Sequence, residues 1–195
     1  GLAAGAMTDS NKIGYVAAFP IPEVIRGINA FAAGVNEVNP DATVEVVWTF
    51  TWFGPEAETQ AANALLETGA DVLAQHQDST ATGLAAEAAG AKWISYNTAY
   101  GKDSAPEAFV TAPVWDWGPY YVDIVESIID GTFSTESYWG GMETGLVSLY
   151  DLSSDVPSDI ATLIGEKTDA IIDGTLEVEI VEEEFISNVI GTVNP

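Results

Sequence analysis

Between residues 12 and 114, short apolar runs alternate with longer stretches of helical spacing. That alternation restricts the fold more than any other feature of the chain. Residues 13–19 form an apolar run closed by Pro20, the pattern of a buried strand. Pro22 suits a first helical turn, and Ile21, Ile25, Ile28, Phe31 or Ala32, and Val35 follow at helical spacing. Asn39-Pro40-Asp41 stops that helix. Residues 44–50 are β-branched and aromatic, a second strand. Residues 55–68 are rich in Ala, Glu and Leu and end at Gly69, a helix. Residues 71–75 read as a third strand, followed by a helix that Ser79 or Thr80 can cap and that runs to Gly90. Residues 93–96 and 109–114 read as fourth and fifth strands. Strands separated by helices of this length imply βαβ units with right-handed crossovers, hence an α/β fold with a parallel sheet flanked by helices.

After Trp117 the rhythm changes. A helix is expected from about residue 119 to 130, short strands near 138–141 and 146–149, and a helix over about 156–173. Residues 177–181 alternate like an edge strand, and the acidic continuation to Pro195 is expected to fray. Residues 1–7 are short, apolar and uncharged, and read as the end of a helix whose beginning is missing. The chain is therefore expected to be truncated.

In a doubly wound sheet, ligands bind outside the carboxyl ends of the strands. The segments expected there carry Phe19 after the first strand, Trp52 and Phe53 after the second, and His76, Asp78 and Ser79 after the third. Asn97 follows the fourth strand, and Trp115 and Trp117 the fifth. Rings dominate, with a few neutral or acidic hydrogen-bonding groups among them. No Lys or Arg lies in these segments, and Lys102 is the nearest in sequence. Such an edge suits a flat, uncharged, nitrogen-rich ligand: rings sandwich its face, and Asn can donate and accept along its edge. Each residue also has a plainer reading, as core, helix cap or turn. Trp115 and Trp117, two apart, would share one side of an extended segment.

Composition narrows the classes further. Among 195 residues there are 5 Lys+Arg against 30 Asp+Glu, a formal charge of −25 that repels a phosphate backbone or an anionic membrane surface. The absence of Cys excludes disulfides, thiolate metal sites and a Cys nucleophile. Neither G-x-G-x-x-G, the P-loop pattern nor G-x-S-x-G occurs, and the single His offers no metal-ligand spacing. No catalytic residue, metal or cofactor is assigned, and no partner nucleic acid is expected.

Four stretches carry a resemblance: KIGYVAAFPIPEVIRGINAF at 12–31, ADVLAQHQDS at 70–79, VWDWGPYY at 114–121 and YWGGM at 138–142. In order and spacing, from Gly1 to about Gly174, the chain resembles the basic membrane protein (BMP) family of substrate-binding lipoproteins. The resemblance implies a type I periplasmic-binding-protein fold, two α/β lobes on a hinge that close over a ligand, feeding an ABC importer. Characterised relatives bind purine nucleosides or related bases. On that basis residues 1–11 are the end of an inter-lobe helix and hinge, and residues 12–116 the ligand-binding α/β lobe, nearly complete. Residues 117–195 would cross to the other, mostly missing lobe and supply the tail. The family's stacking ring matches Phe53, with Trp52 beside it, and its loop after the third strand matches His76, Asp78 and Ser79. Nucleoside-binding members carry an acidic residue where this chain has Asn97, and a Lys near Trp115. These departures favour an adenine-like base over a nucleoside. The implied partners are a purine ligand and an ABC permease, outside the cytoplasm, with membrane contact only through a lipid anchor on the missing N-terminal part. A sensory or regulatory ligand-binding domain of the same fold is the alternative, and a small α/β enzyme a third.

Overall fold

The computed structural model describes residues 1–183, 185 and 190–192. Its core is a six-stranded, wholly parallel sheet. The strands are β1 (Lys12–Ala17), β2 (Thr43–Trp48), β3 (Val72–His76), β4 (Lys92–Ile94), β5 (Phe109–Thr111) and, beyond the other elements in sequence, a last strand Ile190–Thr192. Their order is β5-β4-β3-β1-β2 followed by the last strand. β1 is flanked by β2 and β3, so the chain runs to one side of β1 and then reverses to the other. The topological switch point lies between β1 and β3.

The two faces follow from strand parity. Ile13, Tyr15 and Ala17 of β1, with Val44, Val46, Val72 and Ala74, enter one apolar cluster. It is covered by α1 (Leu2–Met7), α2 (Pro22–Val38) and α7 (Ser158–Ile172). Val16, Val47, Leu73 and Trp93 point the other way, into a second cluster with Ala61, Ala62 and Leu65 of α3 (Pro55–Glu67) and Ala86 of α4 (Ala81–Ala89). Both long crossover helices, α2 and α3, begin with Pro in the first turn, where its missing N–H costs nothing. The α4 helix is stopped by Gly90 in the left-handed region, at φ +71°.

Several sequence expectations shift. The expected fifth strand, residues 109–114, is two strands: β5 in the main sheet, and β6 (Pro113–Trp115), which pairs antiparallel with β7 (Val147–Leu149). Ala112 is the break between them, where the chain leaves the parallel sheet for a small separate ribbon. Residues 138–141 form no strand and lead into a 3-10 turn, Met142–Thr144; Gly140 and Gly141 give that stretch little to pack. Residues 177–181 are not a strand either; the neighbour of β2 is Ile190–Thr192. The fraying expected of the tail falls largely outside the described residues. A short helix not expected from sequence, α5 (Gly101–Ser104), precedes β5. The helix after Trp117, α6 (Gly118–Asp130), forms as expected but has no buried residue.

Candidate ligand site at the switch point

The carboxyl ends of β1, β2, β3 and β4 bring rings together. Phe19 lies 5.3 Å from Trp52, centroid to centroid, Trp52 lies 5.9 Å from His76, and His76 lies 4.1 Å from Tyr96. Phe50 joins from the side at 6.4 Å from Phe19. Three of the expected residues, Phe19, Trp52 and His76, are thus contiguous at the switch point. Tyr96 and Phe50 are additions.

Both were hidden inside strands read too long. The second strand ends at Trp48 and the fourth at Ile94, so Phe50 and Tyr96 lie past the ends. An aromatic residue closing a predicted strand was the available signal. The backbone turns sharply here: Phe50 has φ +55° and Asn97 φ +59°, left-handed values uncommon for residues with side chains. Asn tolerates that region through local hydrogen bonding; a bulky ring does so only when its surroundings hold it. The Phe50 N–H donates to the Ala18 carbonyl at 2.9 Å, and Asn97 bridges to Val114.

His76 is 4% exposed, and its Nδ1 has no hydrogen-bond partner of good geometry among the described residues. Burial pushes its pKa down from 6.5 to about 4; its own backbone and the Asp78 carboxylate oppose the shift, and Arg26 adds to it. The ring is therefore neutral at physiological pH. Burial likewise raises Tyr96 to about 12, a hydrogen bond with the Asn97 side chain opposing. The phenol stays protonated. The wall thus presents neutral rings, and the His76 Nδ1 is buried without a partner among the described residues.

The β2–α3 and β3–α4 loops are fastened to each other. The Asp78 N–H donates to the Trp52 carbonyl at 3.0 Å, and Gln77 Nε2 donates to Thr49 Oγ1 at 2.7 Å. Gln75, buried in β3, donates through Nε2 to the carbonyls of Gln77 and Ser79. Thr80 is the N-cap residue of α4 but makes no side-chain cap bond; Ser79, one residue earlier, accepts the Ala81 N–H through Oγ at 3.2 Å. Phe53 is 65% exposed and stands apart from the ring chain. With Asp78 and Ser79 it lines a hollow of about 360 Å³ between the first turns of α3 and α4.

The rings of Trp115 and Trp117 do come together, although not through an extended backbone. Trp117 is helical in backbone, so the segment is not extended, and the two rings meet edge to face at 5.7 Å. They belong to a second aromatic group in which Trp117 stacks on Tyr121 and Tyr120 on Tyr138. The nearest influential cation is also different from the sequence reading. Lys102 sits over the Tyr150 ring, whereas the Arg26 charge acts on both His76 and Tyr96. Arg26 lies in α2, whose first turns face the strand ends; its own charge is paired with Glu182 at 2.9 Å and covered by the Trp139 ring. Another hollow of about 370 Å³, between α1, α2 and α7, holds none of the expected residues.

Among the described residues no helix is long and apolar enough to cross a membrane, and no group of three or more His, Asp or Glu is placed to hold a metal.

Residues 1–181 match the family profile described as ABC transporter substrate-binding protein PnrA-like. A putative ABC transporter glucose-binding protein of Haloferax volcanii is 42% identical over 178 residues, covering 91% of this chain and 45% of that protein. A purine-binding protein of Brucella abortus is 40% identical over 177 residues, covering 88% and 48%. The chain thus spans about half the length of these curated relatives. Among solved structures, a solute-binding protein of an ABC transporter system from Conexibacter woesei superposes with a TM-score of 0.76 at 24% identity, over 93% of this chain and 61% of that one. At that identity the likeness concerns the fold.

Proposed function

Because the chain belongs to the PnrA-like family of ABC transporter substrate-binding proteins, we propose that it forms one wall of an extracytoplasmic solute-binding protein. Its ligand is a purine base or nucleoside, adenine-like by preference, and its partner an ABC permease that receives that ligand. The observation that carries the ligand class is the unbroken row Phe19–Trp52–His76–Tyr96 across the switch point. A planar heterocycle gains stacking from Trp52, worth about 1–3 kcal/mol per stacked base. The neutral His76 extends the ring surface, and Asn97 offers an amide to the ligand's edge. Asp78, Ser79 and Phe53 line the hollow between α3 and α4, close in the chain to Trp52 and His76, and would meet a substituent on the ring. Trp115 and Trp117 belong to the second aromatic group and are not part of that row.

A sugar ligand is the second reading, favoured by the name of the Haloferax volcanii relative. A pyranose can also lie on an aromatic ring, but it brings hydroxyls on every edge. This wall sets mainly apolar ring surface and few polar groups against them. Calorimetry with adenine, guanine, adenosine and glucose separates the readings. Heat and saturation with a purine, and none with glucose, is the expected result; saturation by glucose alone would reverse the assignment.

A further inference from the structure

We infer that Glu58 is a positioning residue for this site, tying the loop that carries Trp52 and Phe53 to the loop that follows His76 and carries Asp78 and Ser79. The inference rests on the purine reading for its affinity arm. Glu58 lies in the first turn of α3 and is fully buried. Carboxylates are rarely buried without partners, because the loss of water must be offset by hydrogen bonds. Both oxygens are engaged. One accepts the N–H of Gly54, the residue before the first turn of α3, at 2.9 Å. That bond alone would account for a residue that only completes a helix end. The other accepts the Ser79 hydroxyl at 2.5 Å, 21 residues away in the next loop.

The position of that second bond gives it its consequence. Ser79 is held in turn by Gln75, and its hydroxyl also takes the Ala81 N–H. Two other ties cross between the same loops, Asp78 N–H to Trp52 carbonyl and Gln77 to Thr49. Glu58 is the charged member of the three, and charge-assisted bonds are the stronger kind. It is not among the residues lining the hollow between α3 and α4, so it acts through those that do. With the tie in place, the stacking rings and the edge-reading groups form one rigid wall. Without it, the two loops separate by hinging at the strand ends, where Phe50 already holds a left-handed backbone.

The test compares Glu58→Ala, Glu58→Gln and Ser79→Ala with the wild-type protein by amide hydrogen exchange and by adenine titration. Glu58→Ala and Ser79→Ala should speed exchange of the Asp78 N–H about tenfold, while the buried amides of Val16 and Leu73 keep their rates. Glu58→Ala should weaken adenine binding about tenfold, the size of a lost hydrogen bond to a charged group. Glu58→Gln, which keeps the shape and can donate its amide to Ser79, should recover most of both losses. The double variant should be no worse than Glu58→Ala alone, since both changes cut the same tie. Unchanged exchange at Asp78 in Glu58→Ala and Ser79→Ala overturns the inference whatever the affinity does, and so does additivity of the two changes. Where Glu58→Ala fails to fold, Glu58→Gln and Ser79→Ala decide by the same exchange reading. A wrong ligand class shows up differently: wild-type protein takes up no adenine, while the exchange arm still decides the role of Glu58.

Discussion

Trp52 and Phe53 are neighbours in sequence with different surroundings. Trp52 is wedged between Phe19 and His76, whereas Phe53 projects into solvent beside Asp78 and Ser79. A ring already held by two others loses little freedom when a ligand stacks on it. Trp52→Ala should therefore weaken purine binding by about 1–3 kcal/mol, and Phe53→Ala by less, in parallel titrations. The reverse order would move the stacking position outward to Phe53. His76 makes a second prediction. Above pH 6.5 its ring is neutral in the folded and unfolded chain alike. Between 6.5 and about 4 only the unfolded chain takes up the proton, so stability falls as pH drops through that window. The displacement corresponds to about 3 kcal/mol. Urea midpoints between pH 7 and 4 should show a shallower pH dependence for His76→Gln than for the wild type; parallel curves would mean that His76 is not held neutral by its burial. Of these residues, Trp52 and His76 were legible from their place after apolar runs. Tyr96 and Phe50 were not, because β-branched and aromatic patterning does not mark where a strand stops pairing.

At the scale of elements, the sequence pattern was most readable where burial imposes a period. Strands β1 to β4 are covered on both faces and helices α2 to α4 each set one apolar stripe against them, so their apolar spacing had to match the sheet. It was least readable where packing is one-sided. Residues 177–181 alternate as a strand would, yet nothing in that alternation says which edge they pair with, and residues 190–192 pair with β2 instead. The division of residues 109–114 at Ala112 was hidden for a related reason: one apolar run served two sheets. Close packing yields a test of its own at α4. Gly83 faces Trp93, which is fully buried, and a Cβ there would stand 2.3 Å from the indole. Ala is the better helix former, which would favour the substitution by up to about 1 kcal/mol. The clash should outweigh that gain, and Gly83→Ala should destabilise by about 1–3 kcal/mol in denaturant unfolding. A neutral or stabilising result would show that α4 can shift outward from β4.

For the whole molecule, the balance of charge matters more than any one pair. The five cationic residues are all engaged: Lys12 with the Thr68 carbonyl, Arg26 with Glu182, Lys92 with Asp155, Lys102 over Tyr150, and Lys167 with Glu37. The thirty acidic residues of the sequence therefore meet no unengaged cation, and the formal charge is −25. Raising the salt from 0.1 M to 1 M shortens the screening length from about 10 Å to 3 Å and should relieve that repulsion. The thermal midpoint should climb across this range in KCl; a flat or falling midpoint would place the net stability elsewhere. The α6 helix shows the same scale from another side, since it leaves Val122, Val125 and Ile129 uncovered among the described residues. No residue-level pattern distinguishes such a helix from a packed one.

All of this converges on the ring row at the switch point, and its direct measurement is the NMR spectrum of the protein during an adenine titration. Saturable shifts concentrated on the side-chain signals of Phe19, Trp52, His76 and Tyr96 are the expected outcome. Saturable shifts that spare those four rings, or arise only in the hollow between α1, α2 and α7, would contradict the assignment.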